Sequence, residues 1–369
     1  MSELNHDIYQ RADPKEADAL AWVFSSKDTF EKYYFKLPIL RENEVRARVL
    51  YTSLCMSDSL HGRSKWGSCY YPICTGHEVI GEVITVGEKV EGIKAGDKVA
   101  FGPFRDSCGK CKWCLKGWTH ACDNIKVEEK VLYGLYFGGY ATHIQQPARL
   151  CFKLKDDLPL ETSAPLLCAG ITVYLPLALY LEKGGKVAVY GIGGLGHLAI
   201  QYASKMGSEV HAFTSSKDKA PLLKELGASK VILWDDFYAS EVNKEYDVIL
   251  NTIPGWADDV KVKKWLDSLN PYGKMIILGM SDVHEDMKMD VRTLVFNHNA
   301  VIGSCVGGRK HTEDMLDFSV QHNIQCKCEF FEFEDFPKAL ERMEHGKPQF
   351  RCVVKAEKMA KELEKNWKK

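Results

Sequence analysis

A chain of 369 residues has room for two or three domains at roughly 150 residues each, which excludes a single small module. Its 49 Lys and Arg balance 50 Asp and Glu, with 45% of residues hydrophobic and 27% charged, as in ordinary globular proteins. That balance excludes a disordered chain and a basic surface for nucleic acid or anionic lipid.

The first twenty residues carry early acidic groups and no basic stretch leading into an apolar run. They therefore predict no secretory or mitochondrial leader and a cytoplasmic protein. From Glu44 to Val99, short β-rich runs (VRARVLYTSL, HEVIGEVITV, DKVAFGPF) broken by Gly87, Gly92 and Gly96 predict a domain of short strands and turns. The longest uncharged run, Ala164 to Leu181, contains Pro165, Gly170 and Pro176, and is read as a buried segment rather than a membrane span. From about Gly184 the pattern changes. KVAVYGIG is a strand ending in glycines, LGHLAIQYASKM has helical periodicity, and SEVHAFT is a second strand. KVILW, YDVILNT, GKMIILG and NAVIGSCV then alternate with helical APLLKELG and VKVKKWLDSL. This alternation predicts a doubly wound parallel sheet in an α/β protein. After Gly303, a helix (HTEDMLDFSVQHN), a strand (CEFFEF), a helix (FPKALERMEHG) and a strand (FRCVVKA) are assigned back to the first domain, because the second sheet is already complete. In the tail, Ala356, Met359, Ala360, Leu363 and Trp367 fall at helical spacing between lysines and glutamates. They predict an amphipathic helix that docks on this protein or on a partner, against the alternative of a frayed terminus.

The sequence holds 13 cysteines, and clustered cysteines in a reducing compartment point to metal. Cys108, Cys111, Cys114 and Cys122 can close a tetrahedral shell around Zn2+, leaving no open position, so a structural zinc is expected. Gly191-Ile192-Gly193-Gly194-Leu195-Gly196 directly follows a strand and opens a helix, the setting in which glycines admit a pyrophosphate to a helix N-terminus. An acid at the end of the next strand would read an NAD ribose. Thr214 stands there instead, followed by Ser215, Ser216, Lys217 and Lys219, a set suited to the 2′-phosphate of NADP(H). Cys55, His77 with Glu78, and Cys168 form a donor set compatible with a catalytic zinc. Cys69, Cys74, Cys151, Cys305, Cys326, Cys328 and Cys352 are read mostly as packing residues.

These signals, together with Asp58, YPICTGHEVIGEV, APLLCAGITVY, GIGGLGHLAIQYASKMG, TSSKDK and GSCVGGRKHTEDML, resemble the zinc-containing medium-chain alcohol dehydrogenase superfamily. Within it they are most similar to the cinnamyl alcohol dehydrogenase-like, NADP-dependent branch. The resemblance implies a GroES-like β-rich catalytic domain from residues 1–164 and 305–369, and a Rossmann NADP-binding domain from residues 165–304. It further implies two Zn2+ per subunit, a homodimer joined through its Rossmann sheets, and no nucleic-acid or membrane partner. Cys55, His77 and Cys168 would bind the catalytic zinc, with Glu78 as a fourth or exchanging ligand and Asp58 orienting His77. Ser57 would begin the proton relay, and Ser57, Thr172, Thr252, Gly279, Ser304 and Val306 would line the cofactor. The implied activity is hydride transfer between NADP(H) and an alcohol/aldehyde pair, in the direction of aldehyde reduction. The alternatives are a polyol dehydrogenase or other reductase of the same superfamily, and a non-catalytic NADPH-binding subunit. Met56, Leu60 and Cys305, and the short segment between Cys122 and Gly138, depart from the branch's pattern.

Overall fold

A computed structural model describes residues 8–126, 136–254, 259–281, 286–346 and 348–368. The first seven residues and most of the segment between Cys122 and Gly138, both used in the sequence reading, lie outside the described residues. Contacts divide the chain into a first unit, Met1–Cys168 with Gly308–Leu316 and Gln325–Lys369, and a second, Ala169–Gly307 with Asp317–Ile324. This differs from the expected boundaries at both joins. Ala164–Leu167 is buried and stays with the first unit. The helix Arg309–His322 is shared. Its C-terminal half belongs to the second unit because Ser319 Oγ meets Tyr202 Oη at 2.7 Å and Phe318 packs against Tyr174 and Tyr202.

In chain order the first unit contributes β1 (Ala19–Ser26), β2 (Thr29–Phe35), β3 (Glu44–Leu54), β4 (Val79–Val86), β5 (Lys98–Phe101), β6 (His143–Pro147) and β7 (Cys151–Lys153). The second unit contributes β8 (Lys186–Tyr190), β9 (Glu209–Thr214), β10 (Lys230–Leu233), β11 (Tyr246–Asn251), β12 (Leu269–Ile277) and β13 (Ala300–Gly303). The return segment adds β14 (Cys328–Glu332) and β15 (Arg351–Lys355) to the first unit.

Every strand expected from periodicity is present; the hairpin β1–β2 and the short β6 and β7 were not singled out. The return segment inserts β15 antiparallel against β3, with Val353 opposite Ser53, and the sheet runs β14-β15-β3-β4-β5-β7 with β6 also on β3. Trp22, Phe24, Phe35, Phe101, Tyr140, Phe333 and Phe336 form its core. Burying aromatic side chains at about 25 cal/mol per Å2 is the main stabilising contribution here.

The second unit is a six-stranded parallel sheet in the order β10-β9-β8-β11-β12-β13. Val187, Ala188, Val189, Val248, Ile249 and Leu250 are fully buried, as expected where helices cover both faces of a parallel sheet. The apolar run at the join supplies buried residues to both units. Among the described residues no single helix is long and apolar enough to cross a membrane.

The tail forms a helix, Glu357–Glu364, followed by a tight turn, Lys365–Lys368. It docks on its own unit, so the stripe is covered by this chain itself. Ala356, Ala360 and Leu363 are buried; Trp367 Nε1 donates to Asp18 O at 3.0 Å and its ring lies 5.0 Å from that of His143. Arg48 embraces the Glu364 carboxylate with Nε, at 2.7 Å, and Nη2, while His143 Nε2 lies 3.0 Å from Glu364 Oε1. Against the cost of partial burial, His143 and Arg48 hold Glu364 down at about 2, from an ordinary value of 4.5. Burial holds His143 below its usual value, although Glu364 opposes the shift. A depressed carboxylate and a depressed imidazole both stabilise the fold at neutral pH and lose that contribution as pH falls. We expect the docking to weaken first as pH drops through the ordinary histidine range, then from about 4.5 toward about 2. Leu363→Asp should cost about 3–5 kcal/mol, as for an unpaired buried charge, and move Trp367 emission to the red. The emission is read as the difference between each protein and its Trp367→Phe counterpart.

Candidate functional site

The strongest local motif folds into a closed cluster. The four sulfurs of Cys108, Cys111, Cys114 and Cys122 lie within 4.8 Å of one another, and Cys108 Sγ is 3.9 Å from Cys114 Sγ. A tetrahedron of thiolates at about 2.3 Å from zinc has edges of about 3.8 Å, so the spacing fits the ion. Backbone N–H groups already point at the sulfurs: Cys111 N donates to Cys108 Sγ at 3.3 Å and Cys108 N to Cys122 Sγ at 3.4 Å. The Lys110 N–H and its neighbours lower Cys108 to about 6, whereas burial and the adjoining thiols push Cys114 up to about 12. Four crowded sulfurs resist ionising together without a cation, and zinc satisfies all of them.

The second donor set is assembled from three distant segments. Cys55 precedes the short helix Met56–Gly62, His77 and Glu78 lead into β4, and Cys168 closes the buried Ala164–Leu167 turn. Their ligand atoms also lie within 4.8 Å of one another. Asp58, fully buried, accepts from Gly76 N and His77 Nδ1 through Oδ1, both at 2.8 Å, and from Tyr140 Oη through Oδ2 at 3.0 Å. With Nδ1 so engaged, Nε2 is the ring atom left to face the cysteines. Burial disfavours the imidazolium, but Asp58 and Cys55 together hold His77 well above its usual value. The hydrogen bond from Cys168 draws Cys55 toward the thiolate and keeps the proton on Cys168. Burial raises Glu78 to about 7, against the pull of Arg351.

Glu78 Oε1 is paired with Arg351 Nη2, while its Oε2 is buried without a hydrogen-bond partner. Glu78 brings one carboxylate oxygen within 4.8 Å of the two sulfurs and the imidazole, and a buried carboxylate with an unmatched oxygen in such company is what a divalent cation would complete. Sequence reading named neither Arg351 nor Tyr140. Arg351 lies 273 positions from Glu78, and β15 alone brings it there. Ser57 is half-buried on the first turn of its helix, with Oγ 3.6 Å from Cys55 Sγ. Met56 is exposed, and Leu60 and His61 are half-buried. Among the scattered cysteines, Cys74, Cys151, Cys326 and Cys352 are buried, as packing requires, but Cys305 is exposed.

In the second unit, parallel register lines the expected cofactor residues along one edge of the sheet. Tyr190 pairs with Phe213 and Asn251, and Ile277 with Asn251 and Gly303. Gly191, Thr214, Thr252, Gly279 and Ser304 therefore follow one another at the carboxyl ends of β8, β9, β11, β12 and β13. This is the edge at which doubly wound sheets take their ligands. Gly191 has φ +90°, and a Cβ there would lie 2.2 Å from Ile253 Cγ2; one on Gly196 would lie 2.1 Å from Gly191 O. A Cβ on Gly193, by contrast, would meet nothing within 4 Å, so that side of the turn is open to a ligand. Ile192, Gly194 and Leu195 complete the turn into the helix Gly196–Lys205.

Thr252 Oγ1 donates to Gly191 O at 2.6 Å. Thr214 Oγ1 accepts from Ser216 N at 3.2 Å, and Lys219 Nζ reaches Ile192 O at 3.1 Å, tying the Thr214 turn to the glycine turn. Ser215 and Lys217 are exposed. Val306 has φ +48° while buried, a costly conformation for a β-branched residue. Thr172 is buried on the helix Ala169–Tyr180.

Comparison with known proteins agrees with this geometry. The family description "Alcohol dehydrogenase GroES-like domain" matches residues 41–156, and "Zinc-binding dehydrogenase" matches residues 194–321. The chain is 34% identical to cinnamyl alcohol dehydrogenase 8 of Arabidopsis thaliana over 85% of its own length and 88% of that protein. It is similar to the solved structure of a cinnamyl alcohol dehydrogenase from Sorghum bicolor, with TM-score 0.83 and 29% identity over 92% of this chain and 97% of that one. It is likewise similar to the Helicobacter pylori cinnamyl alcohol dehydrogenase complexed with NADP(H), with TM-score 0.82 and 32% identity over 92% and 98% of the two chains. With a GroES-like domain, a Rossmann-like six-stranded parallel sheet and two zinc-type donor sets, the chain belongs to the zinc-containing medium-chain alcohol dehydrogenase superfamily, in its cinnamyl alcohol dehydrogenase-like branch.

Proposed function

We propose that this zinc-dependent alcohol dehydrogenase-type oxidoreductase uses NADP(H) and reduces aldehydes to primary alcohols. The reading is carried by one combination: the Cys55, His77, Glu78 and Cys168 donor set in a chain whose β9 ends in Thr214 rather than an acid. The cinnamyl alcohol dehydrogenase relatives support the substrate class, and the Helicobacter pylori complex supports the cofactor.

Zinc, when bound, supplies a Lewis acid for the substrate oxygen, and the nicotinamide supplies hydride. The two thiolates would offset the dication, Asp58 fixes the ring of His77, and Ser57 gives its proton to the product oxygen as it takes another from solvent, so that it relays rather than supplies the proton. The N–H groups of Gly191–Gly196 receive the pyrophosphate. Thr214, Ser215, Ser216, Lys217 and Lys219 receive the 2′-phosphate through neutral and charge-assisted hydrogen bonds. Thr172, Thr252, Gly279, Ser304 and Val306 line the rest of the cofactor.

The protein works as a homodimer in the cytoplasm. Support for the dimer comes from β13, which ends the sheet, and from the preceding helix Val291–Asn297, on which Val291, Val295 and Phe296 are exposed. An open strand edge beside such a patch favours pairing with a second copy. The deciding experiment measures zinc content of the purified protein and then follows nicotinamide absorbance with an aldehyde panel and both NADPH and NADH. Two zinc ions per subunit and NADPH-driven aldehyde loss are expected; a folded, zinc-loaded protein inert toward every aldehyde and alcohol would sink the reading.

Proton delivery is tested separately. Ser57→Ala should retain zinc and lower kcat by roughly 10²–10⁴-fold, the usual worth of general acid–base assistance. His61→Ala should leave kcat nearly unchanged. An unaltered kcat in Ser57→Ala across pH would mean that solvent supplies the proton directly.

A further inference from the structure

Asp58 is fully buried and carries three hydrogen bonds, two of which come from the segment that bears the metal ligands. The third comes from Tyr140, also fully buried, whose hydroxyl donates to Asp58 Oδ2 at 3.0 Å. Tyr140 is held tightly. Its N–H donates to Thr75 O at 2.9 Å, its carbonyl accepts from Trp22 N at 2.8 Å, and its ring lies 4.6 Å from that of Phe336. Gly76, immediately before His77, has φ +108°, and a Cβ there would come within 2.5 Å of the Tyr140 ring and backbone nitrogen. The absence of a side chain at Gly76 therefore lets Tyr140 lie directly against the segment that bears His77 and Glu78.

We infer that Tyr140 is a positioning residue for the catalytic metal centre, holding the second oxygen of Asp58 so that the first stays aligned on His77 Nδ1 and His77 Nε2 stays turned toward Cys55, Cys168 and Glu78. This rests on the reading of those four residues as a zinc site. Without the Tyr140 donor, Asp58 Oδ2 loses the hydrogen bond that holds it, and a buried carboxylate left with an unmatched oxygen swings to recover a partner. His77 then loses its fixed orientation. Partners one step removed from a metal commonly change its retention by about 10–100-fold; acting through Asp58, Tyr140 belongs at the lower end.

The test uses zinc-loaded enzyme and a chromophoric chelator, following loss of zinc from the two sites as two phases. In Tyr140→Phe, which preserves the ring, the catalytic-site phase should accelerate roughly ten-fold and the four-cysteine phase should not change. In an Asp58→Asn background, Tyr140→Phe should add nothing further, because the hydroxyl acts through that carboxylate. Equal release from Tyr140→Phe and wild type would overturn the inference, as would the same acceleration in the Asp58→Asn background, which marks a general loosening of the core. Should Tyr140→Phe fail to fold, Tyr140→3-fluorotyrosine keeps the ring and offers a more acidic donor. It should slow catalytic-site release, and unchanged or faster release would overturn the inference. A folded wild type that holds only one zinc per subunit would instead remove the metal-site reading on which the inference stands.

Discussion

Cys168→Ala should yield folded protein that keeps one zinc per subunit and loses at least about 10³-fold in turnover. The donor set joins Cys55, the His77–Glu78 pair and Cys168 from three segments, and Cys168 is its one contribution from the Ala164–Leu167 turn. Removing it deletes a thiolate that both binds the ion and offsets its charge, and a Lewis acid is worth several kcal/mol of barrier at about 1.4 kcal/mol per decade. The surrounding fold does not depend on that sulfur, because the neighbouring Ala164, Leu166 and Leu167 remain fully buried hydrocarbon. Cys111→Ala should do the reverse. The four-cysteine lobe is local, closed, and has few buried residues of its own among Cys108–Cys122, so the metal stands in for a core. That variant should lose the other zinc and melt lower, by roughly 2–4 °C for each kcal/mol of metal-dependent stability. Zinc analysis, thermal melts and turnover on the two variants separate the roles. Identical behaviour of the pair, or one zinc in fully active wild type, would refute them.

Thr214→Asp should erase the preference for NADPH and raise activity with NADH. Thr214 is buried at the end of β9, and its Oγ1 accepts the Ser216 N–H. An aspartate accepts the same N–H, so the turn persists while a carboxylate replaces a hydroxyl beside the ribose. Two unit charges 4 Å apart at an effective dielectric near 20 repel by about 4 kcal/mol, which sets a scale of about a thousand-fold for the shift in kcat/KM ratio. A loss of about 10²–10³-fold with NADPH, together with better use of NADH, is expected from steady-state kinetics with both cofactors. Equal efficiency with the two cofactors in the wild type would refute the assignment of the Thr214–Lys219 turn to the 2′-phosphate.

Local spacing carried much of this architecture. Four cysteines within fifteen positions, a glycine turn between a strand and a helix, and the alternation of strands and helices from Gly184 onward are short-range patterns, and each took its expected form. The catalytic donor set was different in kind. Cys55, His77, Glu78 and Cys168 have no informative spacing, and it was the likeness of the surrounding segments to a known family that singled them out.

What surrounds those ligands was decided by the tertiary structure alone. Tyr140 reaches Asp58 across 82 positions, and Arg351 reaches Glu78 across 273. No periodicity records such pairs, because they arise when β15 adds to β3 and when the Gly138–Tyr140 turn lies against Gly76. The shared helix Arg309–His322 reads as one continuous amphipathic element, and only the Tyr202 and Tyr174 rings reveal that its second half packs with the parallel sheet. In the tail, the stripe of Ala356, Met359, Ala360, Leu363 and Trp367 announced a helix, but left open whether it docks or frays. Where it docks depended on Arg48 and His143, 316 and 221 positions before the Glu364 they hold. Sequence by itself thus determined the elements and the metal- and nucleotide-type motifs, since these rest on neighbours a few residues apart. Only the folded chain decided the partners of the buried charges, since a charge withdrawn from water must be matched by whatever group the packing brings to it, however distant in sequence.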